Sequence, residues 1–135
     1  MRESLVFKTI AGGSIALCSF CFGGFDITFQ TLLFFLLADF ITGTYKAFCR
    51  QEISSQASWK GFGKKILTLL VVAIAVRIDA LMGSDGIVRG IALYGYIGTE
   101  LYSITENIIA LGVPIPPALA KYFKQYTGEL KKDEK

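Results

Sequence analysis

The chain contains no histidine. Imidazole catalysis and imidazole metal ligation are therefore excluded. Cysteine is scarce, with only Cys18, Cys21 and Cys49. The first two have CxxC spacing, but they lie in a hydrophobic run with no second pair, and a zinc or redox site needs that company. They read as small apolar packing residues. There is no glycine loop followed by Lys and Ser or Thr, no metal-ligand cluster and no nucleophile–base set. The sequence therefore predicts no enzyme, no cofactor and no metal. Charge is sparse too, at 19% of residues, and the net charge of +3 is too small to argue for a nucleic-acid partner. Internal repeats and low-complexity tracts are absent.

What the chain has is hydrophobic length. It is 53% hydrophobic with a mean hydropathy of +0.51, which is more apolar and less charged than a soluble domain of ordinary composition. About 20 apolar residues at 1.5 Å rise cross a hydrocarbon core of about 30 Å. The predicted fold is an all-α membrane protein with four transmembrane helices and a C-terminal basic amphipathic helix. The spans are expected near residues 5–22, 27–48, 66–82 and 87–111, within a transmembrane domain of residues 1–117. Gly23-Gly24-Phe25-Asp26 and Gly83-Ser84-Asp85-Gly86 are the turns on one side. A basic loop from Arg50 to Lys65 joins spans two and three, and span four stops at Gly112 and Pro114-Ile115-Pro116-Pro117. The first stretch ends in Leu17-Cys18-Ser19-Phe20-Cys21-Phe22. That is a poor signal-peptidase site, so it reads as a retained span.

Residues 118–135 differ in kind. Leu119, Tyr122, Phe123, Tyr126 and Leu130 recur at helical spacing, with Lys121 and Lys124 off the stripe. This pattern suits a helix lying on a membrane surface or one packed on its own protein. Lys131-Lys132-Asp133-Glu134-Lys135 reads as a solvated tail.

Charge placement gives an orientation. Arg2, Lys8, Lys46, Arg50, Lys60, Lys64, Lys65, Lys121, Lys124, Lys131, Lys132 and Lys135 share one side of a four-span arrangement. The other side holds Asp26, Asp85 and Arg89. Basic residues concentrate in the cytoplasm, so both termini are expected there, with the protein in a bacterial cytoplasmic membrane.

Ionisable groups inside spans face protein or water rather than lipid. Here they are Asp39 in span two, Arg77 and Asp79 in span three, and Glu100 and Glu106 in span four. Counting rises from the cytoplasmic ends puts Arg77 and Glu100 both about 15 Å deep. An Arg77–Glu100 pair is therefore expected, with Asp39 approaching span four near Asn107. Tyr96, Thr99, Glu100, Ser103, Glu106 and Asn107 fall within an arc of about 120°. Such a stripe either packs inside the bundle or lines water in an assembly. Gly43, Gly95 and Gly98 are candidates for close helix packing.

Three stretches resemble the phage holin family that also contains clostridial toxin-secretion proteins. They are Ala38-Asp39-Phe40-Ile41-Thr42-Gly43; Ser54 to Lys65, with its serines, glycines and paired lysines; and Glu100-Leu101-Tyr102-Ser103-Ile104-Thr105-Glu106-Asn107 followed by Leu111-Gly112-Val113-Pro114-Ile115-Pro116. The likeness covers roughly residues 32–128 and is most specific in the last stretch. It implies a non-enzymatic, homo-oligomeric pore former. Such a protein permeabilises the cytoplasmic membrane at a set time, so that an endolysin or a large toxin leaves the cytoplasm. Its implied partners are the bilayer, other copies of itself and, functionally, the exported protein. A small multi-span transporter or ion channel subunit, using Asp39, Arg77 and Glu100, is the alternative reading of the same intramembrane charges.

Overall fold

The computed structural model describes residues 1–133, with side chains through Gln125. Among the described residues five helices follow one another: α1 (Arg2–Phe22), α2 (Ile27–Cys49), α3 (Ser55–Met82), α4 (Ile87–Ala110) and α5 (Pro117–Asp133). Among the described residues there is no strand.

Local chemistry sets the helix boundaries. Gly23 ends α1 in the left-handed region at φ 73°, its N–H donating to Ser19 O. Asp26 caps α2, accepting from Phe29 N at 3.1 Å. Ser54 caps α3 in the same way, accepting from Ala57 N at 3.3 Å. Gly83 closes α3 at φ 65°. Beyond α4, Gly112 and the prolines stop the helix before α5 begins.

The expected loop from Arg50 to Lys65 is a correction. The irregular segment is short, and α3 starts at Ser55. Glycines and lysines marked this stretch as loop, yet Ser54 supplies the cap and no proline follows it. The helix thereby gains three turns and places Trp59, Lys60, Lys64 and Lys65 on its first part. Its 28 residues span about 42 Å.

Helices α2, α3 and α4 form the packed unit, with α4 central: it lies along both α2 and α3 and carries α5 at its far end. The core is small. Phe29, Leu32 and Leu36 of α2 meet Val72 of α3 and Leu93 and Ile97 of α4. Helix α1 buries no residue. It rests on α3 and reaches the core only through Phe22, which stacks on Phe29 at 4.6 Å between ring centroids.

The outer surface is apolar. Phe7, Phe34, Leu70 and Ile91 are each more than half exposed. A water-soluble monomer rarely carries contiguous apolar surface of this extent. Helices α1 and α2 are each long and apolar enough to cross a membrane. Helices α3 and α4 have the length but carry more charge, including Lys64, Lys65, Arg77 and Asp79 on α3 and Arg89, Glu100 and Glu106 on α4.

In α5, Ala120 and Phe123 are partly buried, whereas Leu119 and Tyr122 are exposed. The Tyr126 and Leu130 positions of the expected stripe lie outside the described side chains, and Glu134 and Lys135 lie outside the described residues.

Candidate functional site: two polar clusters at opposite ends of the bundle

The core residues separate two groups of polar side chains. The first joins α2, α3 and α4 at the end where the Arg50–Ser54 segment lies. Lys65 Nζ donates to Asp39 Oδ2 and to Glu100 Oε2, both at 2.8 Å. Asn107 Nδ2 donates to Asp39 Oδ1 at 3.0 Å and to Thr42 Oγ1 at 3.1 Å. Lys46 Nζ donates to Asn107 Oδ1 at 2.6 Å. Two carboxylates are thus matched by two ammonium groups, with one amide between them. The side chains of Lys65, Asp39 and Glu100 are only 16%, 18% and 12% exposed. Charges that far from water persist only when paired and hydrogen-bonded, and no buried side-chain polar atom among the described residues lacks a partner.

The second group ties the helix ends at the two turns. Asp79, buried at the end of α3, accepts from Ser84 Oγ at 2.6 Å, Val88 N at 2.9 Å and Arg89 N at 2.8 Å. It therefore caps the N-terminus of α4 from the preceding helix. Arg89 in turn reaches the α1–α2 turn. Its guanidinium donates to both carboxylate oxygens of Asp26 at 2.9 Å, and to the carbonyls of Phe22 and Gly24. The Phe22 carbonyl is an orphan acceptor at the end of α1, and that of Gly24 belongs to the turn. The Arg89 pair and hydrogen bond hold the Asp26 carboxyl below the ordinary carboxylate range, against a smaller opposing effect of desolvation. Arg77 closes the group: it donates to Phe20 O and stands over the Phe20 ring at 4.0 Å.

The expected Arg77–Glu100 pair is therefore overturned. That pairing requires helix ends at Ile66 and Leu111, but α3 begins at Ser55. The α3–α4 hairpin must be counted from its turn. Arg77 lies six residues before Gly83 and Glu100 fourteen after Gly86, a mismatch of about 12 Å along the axis. Lys65 takes the place at Glu100, and Arg77 serves α1. The expected approach of Asp39 to Asn107 is present.

The polar arc of α4 is split by the edge of the bundle. Asn107 is buried, and Glu100 and Tyr96 are partly buried. Ser103 is partly buried like them, and Thr99 and Glu106 are exposed. The glycines divide too. A Cβ on Gly43 would stand 3.6 Å from Asn107 Nδ2, and Gly98 is buried, but a Cβ on Gly95 would meet nothing within 4 Å. Gly95 is not a close-packing residue in this fold, because it faces outward from α4.

Lys65, Lys46, Thr42, Asp26 and Arg89 were not singled out from the sequence as site residues. For Lys65 a signal existed: Lys65, Leu69, Val72 and Asp79 recur at helical spacing once α3 is extended to Ser55. The two clusters hold no group of three or more His, Cys, Asp or Glu placed to bind a metal ion among the described residues.

The sequence profile of the bacteriophage holin family matches residues 16–128. Over 83 residues, 62% of each chain, the protein is 39% identical to a probable holin of Bacillus phage phi105. An uncharacterised protein of Listeria monocytogenes is 32% identical over 134 residues, covering 99% of this chain and 94% of its own. An uncharacterised 14.9 kDa protein of Clostridium perfringens is 40% identical over 114 residues, 84% of this chain and 86% of its own. No solved structure matches the chain. The profile match takes in both polar clusters and begins within α1, so the helix that buries nothing is also the least covered part. The chain belongs to the bacteriophage holin family.

Proposed function

We propose that the protein is a holin of four spans, α1 to α4, with both termini in the cytoplasm, and that it permeabilises the bacterial cytoplasmic membrane as an oligomer. An endolysin, or a large toxin, then leaves the cytoplasm. The observation that carries this reading is the charge-matched cluster of Asp39, Lys65, Glu100, Asn107 and Lys46, satisfied inside a bundle whose outside is apolar. Such a cluster has two ways of meeting its hydrogen-bonding needs. In the closed protomer the partners are each other; in an assembled lesion the partner is water. A lipid-exposed state is the costly one. The protein thus accumulates with its polar face folded inward and turns that face to water when protomers associate. Glu100, Ser103, Glu106 and Asn107 line the lesion in this account, and Asp39 with Lys65 holds the closed form. Exposed Glu106 and partly buried Ser103 are the residues from which wetting would begin.

Pairing supports the four-span arrangement. The charges of α3 and α4 that lower their hydropathy are largely engaged: Lys65 with Glu100, Asp79 with the α4 N-terminus, Arg89 with Asp26. Each engaged charge removes most of its burial penalty, so hydropathy summed residue by residue understates these helices.

The test is induced expression in a bacterium, with and without a cytoplasmic muralytic enzyme that lacks a signal peptide, followed by optical density. The proposal predicts an abrupt stop of growth, with lysis only when the enzyme is present. Continued growth at verified membrane abundance would overturn it.

A further inference from the structure

Most charges of α2 and α4 are met inside the bundle: Asp39 and Lys46 on α2, Arg89 and Glu100 on α4. Lys8 of α1 and Glu106 of α4 are not. Both are exposed, and neither forms an ion pair among the described residues. Within one chain α1 rests on α3 and α3 on α4, which keeps these two charges apart. A charge turned toward lipid is costly, so each calls for a counterion from outside its own chain.

The two stand at similar depth. Arg89 donates to Phe22 O, which sets a common level for α1 and α4. Lys8 lies fourteen residues before Phe22 and Glu106 seventeen after Arg89, about 21 Å and about 25 Å toward the cytoplasmic end. Helical side chains lean toward the N-terminus of their helix, so Lys8 leans toward the cytoplasm and Glu106 away from it, which closes the difference. Their surroundings match as well. Lys8, Gly12 and Ser19 fall within about 40° on α1, and Gly95, Thr99 and Glu106 within about 40° on α4. All six are exposed, and a Cβ on Gly12 or Gly95 would meet nothing within 4 Å. The two helices run in opposite directions, and Lys8 to Ser19 and Gly95 to Glu106 are both steps of eleven residues. Laid face to face, they align Lys8 with Glu106 and Ser19 with Gly95.

We propose that copies of this protein associate side by side, α1 of one against α4 of the next, with Lys8 of one copy paired to Glu106 of its neighbour. Charge complementarity selects this occupant. A symmetric contact would set Lys8 against Lys8 or Glu106 against Glu106, and lipid would leave both unmatched. Because the two faces differ, the contact repeats from copy to copy into rows or closed rings. Glu106 lies about 60°, 100° and 120° around α4 from Ser103, Asn107 and Glu100. A neighbour's α1 at Glu106 therefore flanks the polar arc and leaves those three free to face water. This contact rests on the four-span, oligomeric reading above but not on the opening of a lesion.

The test keeps both charges and cross-links beside them. In the full chain, with Cys18, Cys21 and Cys49 replaced by serine, Ser19→Cys/Gly95→Cys is treated in bacterial membranes with a short flexible bismaleimide. The expected product is a ladder of covalent multimers, since each copy offers a different cysteine to each neighbour. Ser19→Cys or Gly95→Cys alone should stay monomeric. So should Leu17→Cys/Gly95→Cys, whose first cysteine is on the far side of α1. Adding Lys8→Glu or Glu106→Lys should weaken the ladder several-fold, and adding both should restore it, which also shows that the variants fold. The proposal would be overturned by the lack of a ladder at verified membrane abundance, or by dimers from a single-cysteine variant. A ladder indifferent to the charge reversals, or one that the double exchange fails to restore, would overturn it too. Growth is followed in the same cultures. Arrest without a ladder overturns this contact alone, whereas a charge-dependent ladder without arrest upholds the contact and overturns the holin reading.

Discussion

Replacing Lys65 by Met strikes the cluster at its centre. The substitution preserves the length of the side chain and removes the charge. Asp39 and Glu100 would then share a poorly hydrated space with no ammonium group between them. Removing one partner of a buried ion pair costs about 3–5 kcal/mol. With 12–18% of these side chains exposed and Asn107 still bonded to Asp39, the lower end applies, about 3 kcal/mol. That corresponds to roughly a hundredfold shift away from the closed protomer. The assay is the onset time of growth arrest after induction, compared at equal membrane abundance, with thermal unfolding of the detergent-purified protein as a second readout. Lys65→Met should trigger early and melt at lower temperature. The triple variant Asp39→Asn/Lys65→Met/Glu100→Gln should recover much of the delay, because neutral groups leave no unpaired charge. This non-additivity is the signature of a shared network. An unchanged onset and melting point for Lys65→Met, or a triple variant as impaired as the single one, would refute the reasoning.

Other consequences concern the opposite end of the bundle. Asp79→Ala removes the acceptor for two α4 amides and should cost about 2 kcal/mol, seen as a lower melting temperature, whereas Asp79→Asn keeps an acceptor and should cost less. Gly23→Ala should be destabilising for two reasons: its φ is 73°, and the added Cβ would stand 2.9 Å from Arg89 Nε, so melting and the α1–Arg89 contact should both suffer. For Asp26, the folded-state pKa lies below the ordinary value because Arg89 binds its charged form. The corresponding stability is therefore present above the usual carboxylate pKa and is lost as pH falls through the lowered one. Melting temperature measured across the acid range should drop less in Asp26→Asn than in the unchanged protein, and equal drops would contradict this.

Much of the helical layout is legible in the sequence. Apolar runs between glycine turns locate α1, α2 and α4 to within a few residues, because hydrophobic length and chain breakers act locally. The N-terminal third of α3 is not legible in this way: lysine and glycine content argues for loop, and only the Ser54 cap argues for helix. That one boundary governs the pairing. With α3 begun at Ile66, Lys65 is a loop charge and Arg77 is the natural mate for Glu100. With α3 begun at Ser55, Lys65 enters the bundle and Arg77 is left to the end of α1. Asp39 and Asn107 are readable because a carboxylate and an amide inside apolar runs need partners wherever the ends fall. Asp79 is readable as a buried polar residue, but its role as the cap of the next helix depends on the turn geometry of Gly83 to Gly86. The clamp of Arg89 on Asp26 joins residues 63 positions apart and depends on the packing of three helices, which no local pattern encodes.

The central claim is that the polar face of α4 exchanges protein partners for water when the membrane is opened. Its most direct measurement is the labelling of Ser103→Cys by a membrane-impermeant thiol reagent, in a background with Cys18, Cys21 and Cys49 replaced by serine, before and after growth arrest. The account predicts protection before arrest and rapid labelling after it. Protection in both states would contradict it.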